Sequence, residues 1–214
     1  MNQKLVICDV CDTLYRSNTT FDFIRYFVGK KKNSLLIIWF YLLTSKKSPL
    51  FFFLLFISKA SRRDWIRTLA LKLLKGASIE ELDSLATSFY TDFLIDRSNV
   101  EVFKLLSHDT ILVSSGIDPV VATIAKANGL KFESSRLEWH LGKATGNLAT
   151  DITGRKHEIA RKFFSLGSFN RLQVITDNRS DWGLVKLANE RFVIIGKESE
   201  KKFWRDLNPT FIKI

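Results

Sequence analysis

Two acidic stretches stand near opposite ends of the chain: Asp9-Val10-Cys11-Asp12-Thr13 and Asp177-Asn178-Arg179-Ser180-Asp181. Each follows directly on a short apolar run, and so does a third polar stretch, Ser114-Ser115-Gly116. Carboxylates brought together repel one another unless a hard cation sits among them. Mg²⁺ takes one or two carboxylates and completes its shell with water and substrate phosphate oxygens. Hydroxyls and backbone amides at a helix start suit the phosphate itself. Asp118-Pro119 reads as such a start: an N-cap, then proline at the first helical position, ahead of "PVVATIAKAN". Lys156, in "DITGRKHEIA", opens another helix on the same side and can neutralise charge there.

These groups need a scaffold that brings distant stretches to one place. Apolar, strand-like runs occur at 4–8, 110–114, 171–176 and 192–195, with helical stretches between the later ones. Continuous apolar strands alternating with helices predict a parallel sheet covered on both faces. Ligands of such sheets gather beyond the C-terminal strand ends, so the three polar stretches would share one rim. About a hundred residues separate the first run from the second, far more than the roughly 30 of a strand–helix–strand unit. The excess reads as an all-helical insertion, with helices at 21–28, 35–43, 50–59, 64–75, 79–95 and 99–106, broken at Gly29, Pro49 and Gly76.

The insertion also holds the chain's charge. From Arg25 to Lys75 there are twelve basic residues and one acid, Asp64, an excess equal to the +11 of all 214 residues. Such a segment attracts phosphates or acidic lipid heads. Within it lie two apolar runs, "LLIIWFYLL" and "LFFFLLFI", separated by two lysines and a proline. Neither reaches the roughly 20 residues that cross a bilayer. Two readings stay open: a helix pair buried in the insertion, or a hairpin lying in the membrane interface. The cations alternate with long apolar runs instead of polar and aromatic platforms, so nucleic acid is not expected as a partner. The N-terminal residues carry no secretory pattern, and the two cysteines, Cys8 and Cys11, are too close for a disulfide framework. Both facts predict a cytoplasmic protein, peripheral on the inner face of the membrane in the second reading. The oligomeric state is left open.

Strand-DxxxT, strand-Ser, a helix-borne Lys and strand-DxxxD, in that order, resemble the four motifs of the haloacid dehalogenase superfamily. The helical insertion resembles the cap of its phosphoserine-phosphatase-like branch, subfamily IB. The stretch "TTFDFIRYFVGKKKNSLLIIWFYLL" is similar to that of phosphatidylglycerophosphate phosphatases. The resemblance implies that Asp9 is a nucleophile forming an aspartyl-phosphate. It implies that Asp9, Asp177 and the Cys11 carbonyl hold Mg²⁺, with Asp181 supporting the metal through water. Ser114 would bind the transferring phosphoryl group, and Lys156 would neutralise charge. Asp12, Ser115 and Gly116 are further substrate-binding candidates.

The pattern breaks at Cys11. Phosphatases of that family carry an aspartate there, as general acid and base, and Asp12 falls where glycine is common. Three readings follow: slow hydrolysis or substrates with good leaving groups, a role taken over by Asp12, or a site that binds without turnover. The expectation is an α/β protein with a doubly wound, Rossmann-like parallel-sheet core (1–15 and 108–214) and an inserted all-helical cap (16–107). It would be a Mg²⁺-dependent phosphatase acting on a phosphorylated small molecule or a lipid phosphate at an acidic membrane. A catalytically silent relative that binds membranes or proteins is the alternative.

Overall fold

The computed structural model describes residues 3–166 and 169–214. Among them, one sheet holds β1 (Gln3–Cys8), β2 (Thr110–Ile117), β3 (Lys131–His140), β4 (Lys143–Thr150), β5 (Phe169–Thr176), β6 (Glu190–Ile195) and β7 (Thr210–Lys213). The order is β4-β3-β2-β1-β5-β6-β7. Every neighbouring pair is parallel except the β3–β4 hairpin. The central β1 is buried on both faces, as its unbroken apolar sequence requires. Val6 and Cys8 enter one core cluster; Leu5 and Ile7 enter the other.

The four apolar runs are all strands, and the sheet adds β3, β4 and β7. Those three lack the signal that marks the others. β3 mixes Glu, Ser, Arg and His into its run, β4 contains Gly146 and Asn147, and β7 has four residues. The region between β2 and β5 is therefore not purely helical: a hairpin lies between its two helices.

Six α-helices lie between β1 and β2: α1 (Thr19–Lys30), α2 (Ser34–Thr44), α3 (Pro49–Ser61), α4 (Trp65–Leu71), α5 (Ile79–Phe89) and α6 (Val100–Phe103). After β2 come α7 (Asp118–Ala127), α8 (Lys156–Leu166), α9 (Trp182–Leu187) and α10 (Lys201–Trp204). Side-chain caps mark several starts: Asn18 accepts from the Phe21 amide, Asp64 from Arg67 and Ser78 from Glu81. Asp118 does not cap α7. It lies inside the helix, and its Oδ1 accepts instead from the Leu137 amide of β3, 2.9 Å away.

The insertion has no separate interior. Phe23, Phe27, Leu71, Leu82 and Phe89 share one cluster with Val6, Leu112 and Val121 of the sheet side. The two apolar runs stay largely outside it. Of α2 and α3 only Leu43 and Leu54 are buried, whereas Leu35 is 69% and Phe56 73% exposed. This overturns the reading of a helix pair buried in the insertion. No single helix among the described residues is long and apolar enough to cross a membrane; α2 and α3 together meet that test only as a pair bent by 53°.

The β3–β4 hairpin fastens the insertion to the sheet. The Gly76 amide donates to the Ala144 carbonyl and the Ala144 amide to Ala77, each at 2.8 Å. Gly146 has φ +76°, and a Cβ there would lie 2.8 Å from the Lys72 Cα. Gly146→Ala therefore combines left-handed strain with a backbone clash. The expected loss is about 1–3 kcal/mol, read as a lower urea midpoint. An unchanged midpoint would mean that the hairpin can yield at this contact.

Candidate active site

β1, β2 and β5 are adjacent and parallel, so their C-terminal ends lie side by side. Asp9 follows β1 directly, with its amide donating to Ile175 of β5. Its side chain is 4% exposed. Asp9 Oδ1 accepts from the Val10 amide at 2.7 Å, and Oδ2 lies 2.6 Å from Lys156 Nζ. Both carboxylate oxygens are held, which fixes the plane of the group. Lys156, first residue of α8, also donates to Asp181 Oδ2 at 2.8 Å. Thr176 Oγ1 donates to the same oxygen at 2.7 Å. Asp177 is tied to the first loop: Thr13 Oγ1 donates to its Oδ1, and the Asp177 amide donates back to Thr13 Oγ1, both at 2.9 Å.

Ser114 lies within β2, fully buried, and its Oγ accepts from the Gly116 amide at 3.1 Å. β2 runs on to Ile117, so Ser115 and Gly116 belong to the strand and not to a loop after it. Cys11 Sγ lies 2.9 Å from Thr19 Oγ1 and 3.9 Å from Ser114 Oγ. Asp12 is exposed in a left-handed turn, φ 52°, beside this group. The candidate residues thus sit in or just after three neighbouring strands, except Lys156, which α8 brings to them.

Burial sets the electrostatics. It pushes the Asp9 carboxyl up, while the Lys156 charge pulls it back. For Lys156, burial opposes the charge, but Asp9 and Asp181 outweigh it and hold the ammonium above its ordinary value. Asp177 is pushed up to about 7 by burial first and then by the charge of Asp9. Burial, then Asp9, pushes the Cys11 thiol up, so it carries its proton at neutral pH. Asp12 is raised by burial and by Asp22.

Two observations fit a hard cation. Asp9 raises the cost of ionising Asp177, and Asp181 that of ionising Asp9, which a divalent cation among them would relieve. Asp181 Oδ1 is buried with no hydrogen-bond partner, an orphan that normally marks an unfilled demand. Among the described residues no three His, Cys, Asp or Glu side chains converge on one metal point. A shell here therefore needs main-chain, water or phosphate oxygens as well, as Mg²⁺ accepts.

Lys156 joins two carboxylates that would otherwise face each other unpaired. Lys156→Met should cost about 3–5 kcal/mol, the usual penalty for stripping one partner from a buried ion pair. A thermal melt of the variant measures it; an unchanged midpoint would show that the carboxylates neutralise themselves by taking up protons.

Sequence reasoning passed over several contributors. Thr19 and Thr176 hold the thiol and an acid, yet, unlike Thr13 of the DxxxT pattern, a lone threonine carries no signal. Arg67 of α4 is buried and reaches across to the sheet: its Nη1 donates to Asp151 Oδ1 at 3.0 Å and to Thr153 Oγ1 at 2.8 Å, and its Nη2 to the Ser115 carbonyl. A cavity of about 770 Å³ is lined by Cys11, Asp12, Ser115 and Asp177, while Asp9, Ser114, Lys156 and Asp181 are buried and do not line it. Arg62, Arg63 and Arg67 line its insertion side.

The family model described as haloacid dehalogenase-like hydrolase matches residues 6–186. No curated protein matches the chain. A solved protein of unknown function from Bordetella pertussis Tohama I is similar over 99% of both chains, at 15% identity and a TM-score of 0.76. A phosphoserine phosphatase solved as a phospho-aspartyl intermediate analogue is similar over 100% of this chain and 94% of its own, at 17% identity and TM-score 0.59. Cytosolic 5'-nucleotidase IIIB bound to cytidine is similar over 98% of this chain and 80% of its own, at 14% identity and TM-score 0.58. At these identities the shared property is the fold.

Proposed function

Because the chain belongs to the haloacid dehalogenase-like hydrolase family, we propose that it hydrolyses a phosphomonoester through a phosphorylated Asp9, with Mg²⁺, at a membrane surface. The observation that carries this reading is the buried Asp9–Lys156–Asp181 chain, with Asp177 held beside it by Thr13. Asp9 is oriented at both oxygens and attacks phosphorus. The bond from phosphorus to the ester oxygen breaks, and a new bond forms to a carboxylate oxygen of Asp9. Lys156 offsets the charge gathered there. Ser114 Oγ, 3.9 Å from the Cys11 thiol, would donate to a phosphoryl oxygen. Water then cleaves the acyl phosphate and restores Asp9.

Asp9, Asp177 and the Cys11 carbonyl would hold Mg²⁺, with Asp181 acting through water. When bound, the ion withdraws charge from the phosphoryl oxygens. The helical segment 16–107 would act as the cap that selects the substrate, with Arg62, Arg63 and Arg67 on its inner wall. The exposed apolar surface of α2 and α3, between clusters of lysine and arginine, suits the interface of an acidic bilayer. The substrate on this reading is an anionic lipid phosphate, met at the inner face of the membrane.

The protonated thiol of Cys11 favours a second reading, a site that binds phosphate and turns over little or not at all. The test is release of inorganic phosphate from an aryl phosphate, whose leaving group needs no proton. Mg²⁺-dependent release, lost on chelation, is expected. No release at any Mg²⁺ concentration leaves the binding-only reading. Sedimentation with acidic against neutral liposomes tests the membrane component; equal recovery with both would remove it.

A further inference from the structure

A second hollow of about 800 Å³ lies beside the catalytic cavity. Its wall is apolar where Phe21, Phe51, Leu55 and Ile66 meet. The two hollows are continuous: Asn18, Phe21, Arg62, Arg63 and Asp64 line both. The shared corner carries Arg62 and Arg63 against one acid, Asp64, and Lys46 and Lys59 add further cations to the groove. Beyond the groove lie the exposed faces of α2 and α3, with Trp39, Phe52 and Phe56 turned outward.

The opposite flank is closed. There the hairpin is fastened to the insertion through Gly76, Ala77 and Ala144, Gly146 lies against Lys72, and Arg67 holds Asp151 and Ser115. An amphiphile in a bilayer that held α2 and α3 would meet the groove first, then the arginines, then the acids. The polarity along that path runs from apolar to cationic to the phosphoryl site, the order of groups in a phosphorylated lipid.

We propose that the groove between α1, α3 and α4 is an acyl-chain site, holding the hydrocarbon of the phosphorylated lipid while Arg62 and Arg63 receive its anionic head. This rests on the phosphatase reading for the position of the phosphate, and adds the site that recognises the remainder of the molecule.

The probe is a series of n-alkyl monophosphates from butyl to decyl, below their micellar concentrations, with Mg²⁺. Binding is measured by calorimetry on the full-length Asp9→Asn chain, so that turnover does not enter. Each methylene that becomes fully buried is expected to tighten binding about fourfold, and at least about tenfold should separate butyl from decyl. Leu55→Asp, added to Asp9→Asn, should flatten the series. Leu141→Asp, at the 89% exposed tip of the hairpin, should leave its slope intact. Equal affinity along the series, a slope that survives Leu55→Asp, or a slope lost equally in Leu141→Asp would overturn the proposal. If the wild type releases no phosphate from an aryl phosphate but the series keeps its slope, the phosphatase reading falls and the acyl site stands.

Discussion

Asp9→Asn abolishes phosphate release, by about 10⁴-fold or more, and leaves the chain folded. The amide is nearly isosteric, so it fits the same buried space between β1 and β5. It keeps an oxygen for the Val10 amide, which lies 2.7 Å away in the native chain. It loses the charge that faces Lys156, but Lys156 retains Asp181 at 2.8 Å. The neighbouring buried carboxylates are already engaged. Asp177 is bound to Thr13, and Asp181 to Lys156 and Thr176. Melting curves of the two proteins establish that the fold survives. Equal rates from native chain and variant would remove the nucleophile from the mechanism and the enzyme reading with it.

Cys11→Asp acts in the other direction. With an alkyl ester as substrate, the departing oxygen needs a proton that the native site supplies poorly. A thiol whose proton is held this firmly neither gives it readily nor takes one from water. A carboxyl at position 11 would inherit Thr19 at its edge and Ser114 nearby, both able to donate to it. Positioned acid–base help contributes about 10²–10⁴-fold, and a gain of that order is expected with alkyl phosphates. The gain should shrink with aryl phosphates, since phenolate leaves unaided. The ratio of the two rates, native against variant, is the measurement. An equal rate for both substrates in both proteins would show that position 11 is not where protons move, and would return attention to Asp12.

Much of the site could be read before any coordinates, because its parts follow the apolar runs that announce strands. Asp9, Ser114 and Asp177 each lie at the end of such a run, and the rule that ligands gather there suffices to join them. Lys156 required only a helix start. What stayed hidden depends on contacts over long sequence distance. Arg67 is one of many cations in a basic segment, and nothing local marks it as the one that turns inward to Asp151. The hairpin was missed because β3 and β4 are half exposed and interrupted by glycine and asparagine. Asp118 looked like a helix cap because Pro119 follows it; a β3 amide competes successfully for the same carboxylate. The exposure of α2 and α3 was only hinted at by composition: helices apolar on every side with cationic ends lean toward a bare surface, but an apolar helix alone reads alike whether covered or bare.

The cluster that runs unbroken from Val6 and Leu112 through Phe23 and Phe89 bears on how such proteins can be rebuilt. The insertion is not a module that can be excised or traded for that of a relative. Removing it would strip much of the cluster from that side of the sheet and leave α7 without α5, one of the elements it packs against. A chimera with altered selectivity would have to inherit helix 118–127 and the hairpin after it along with the donor's insertion. Diversification in this lineage is then expected to proceed residue by residue along the lining of the hollow.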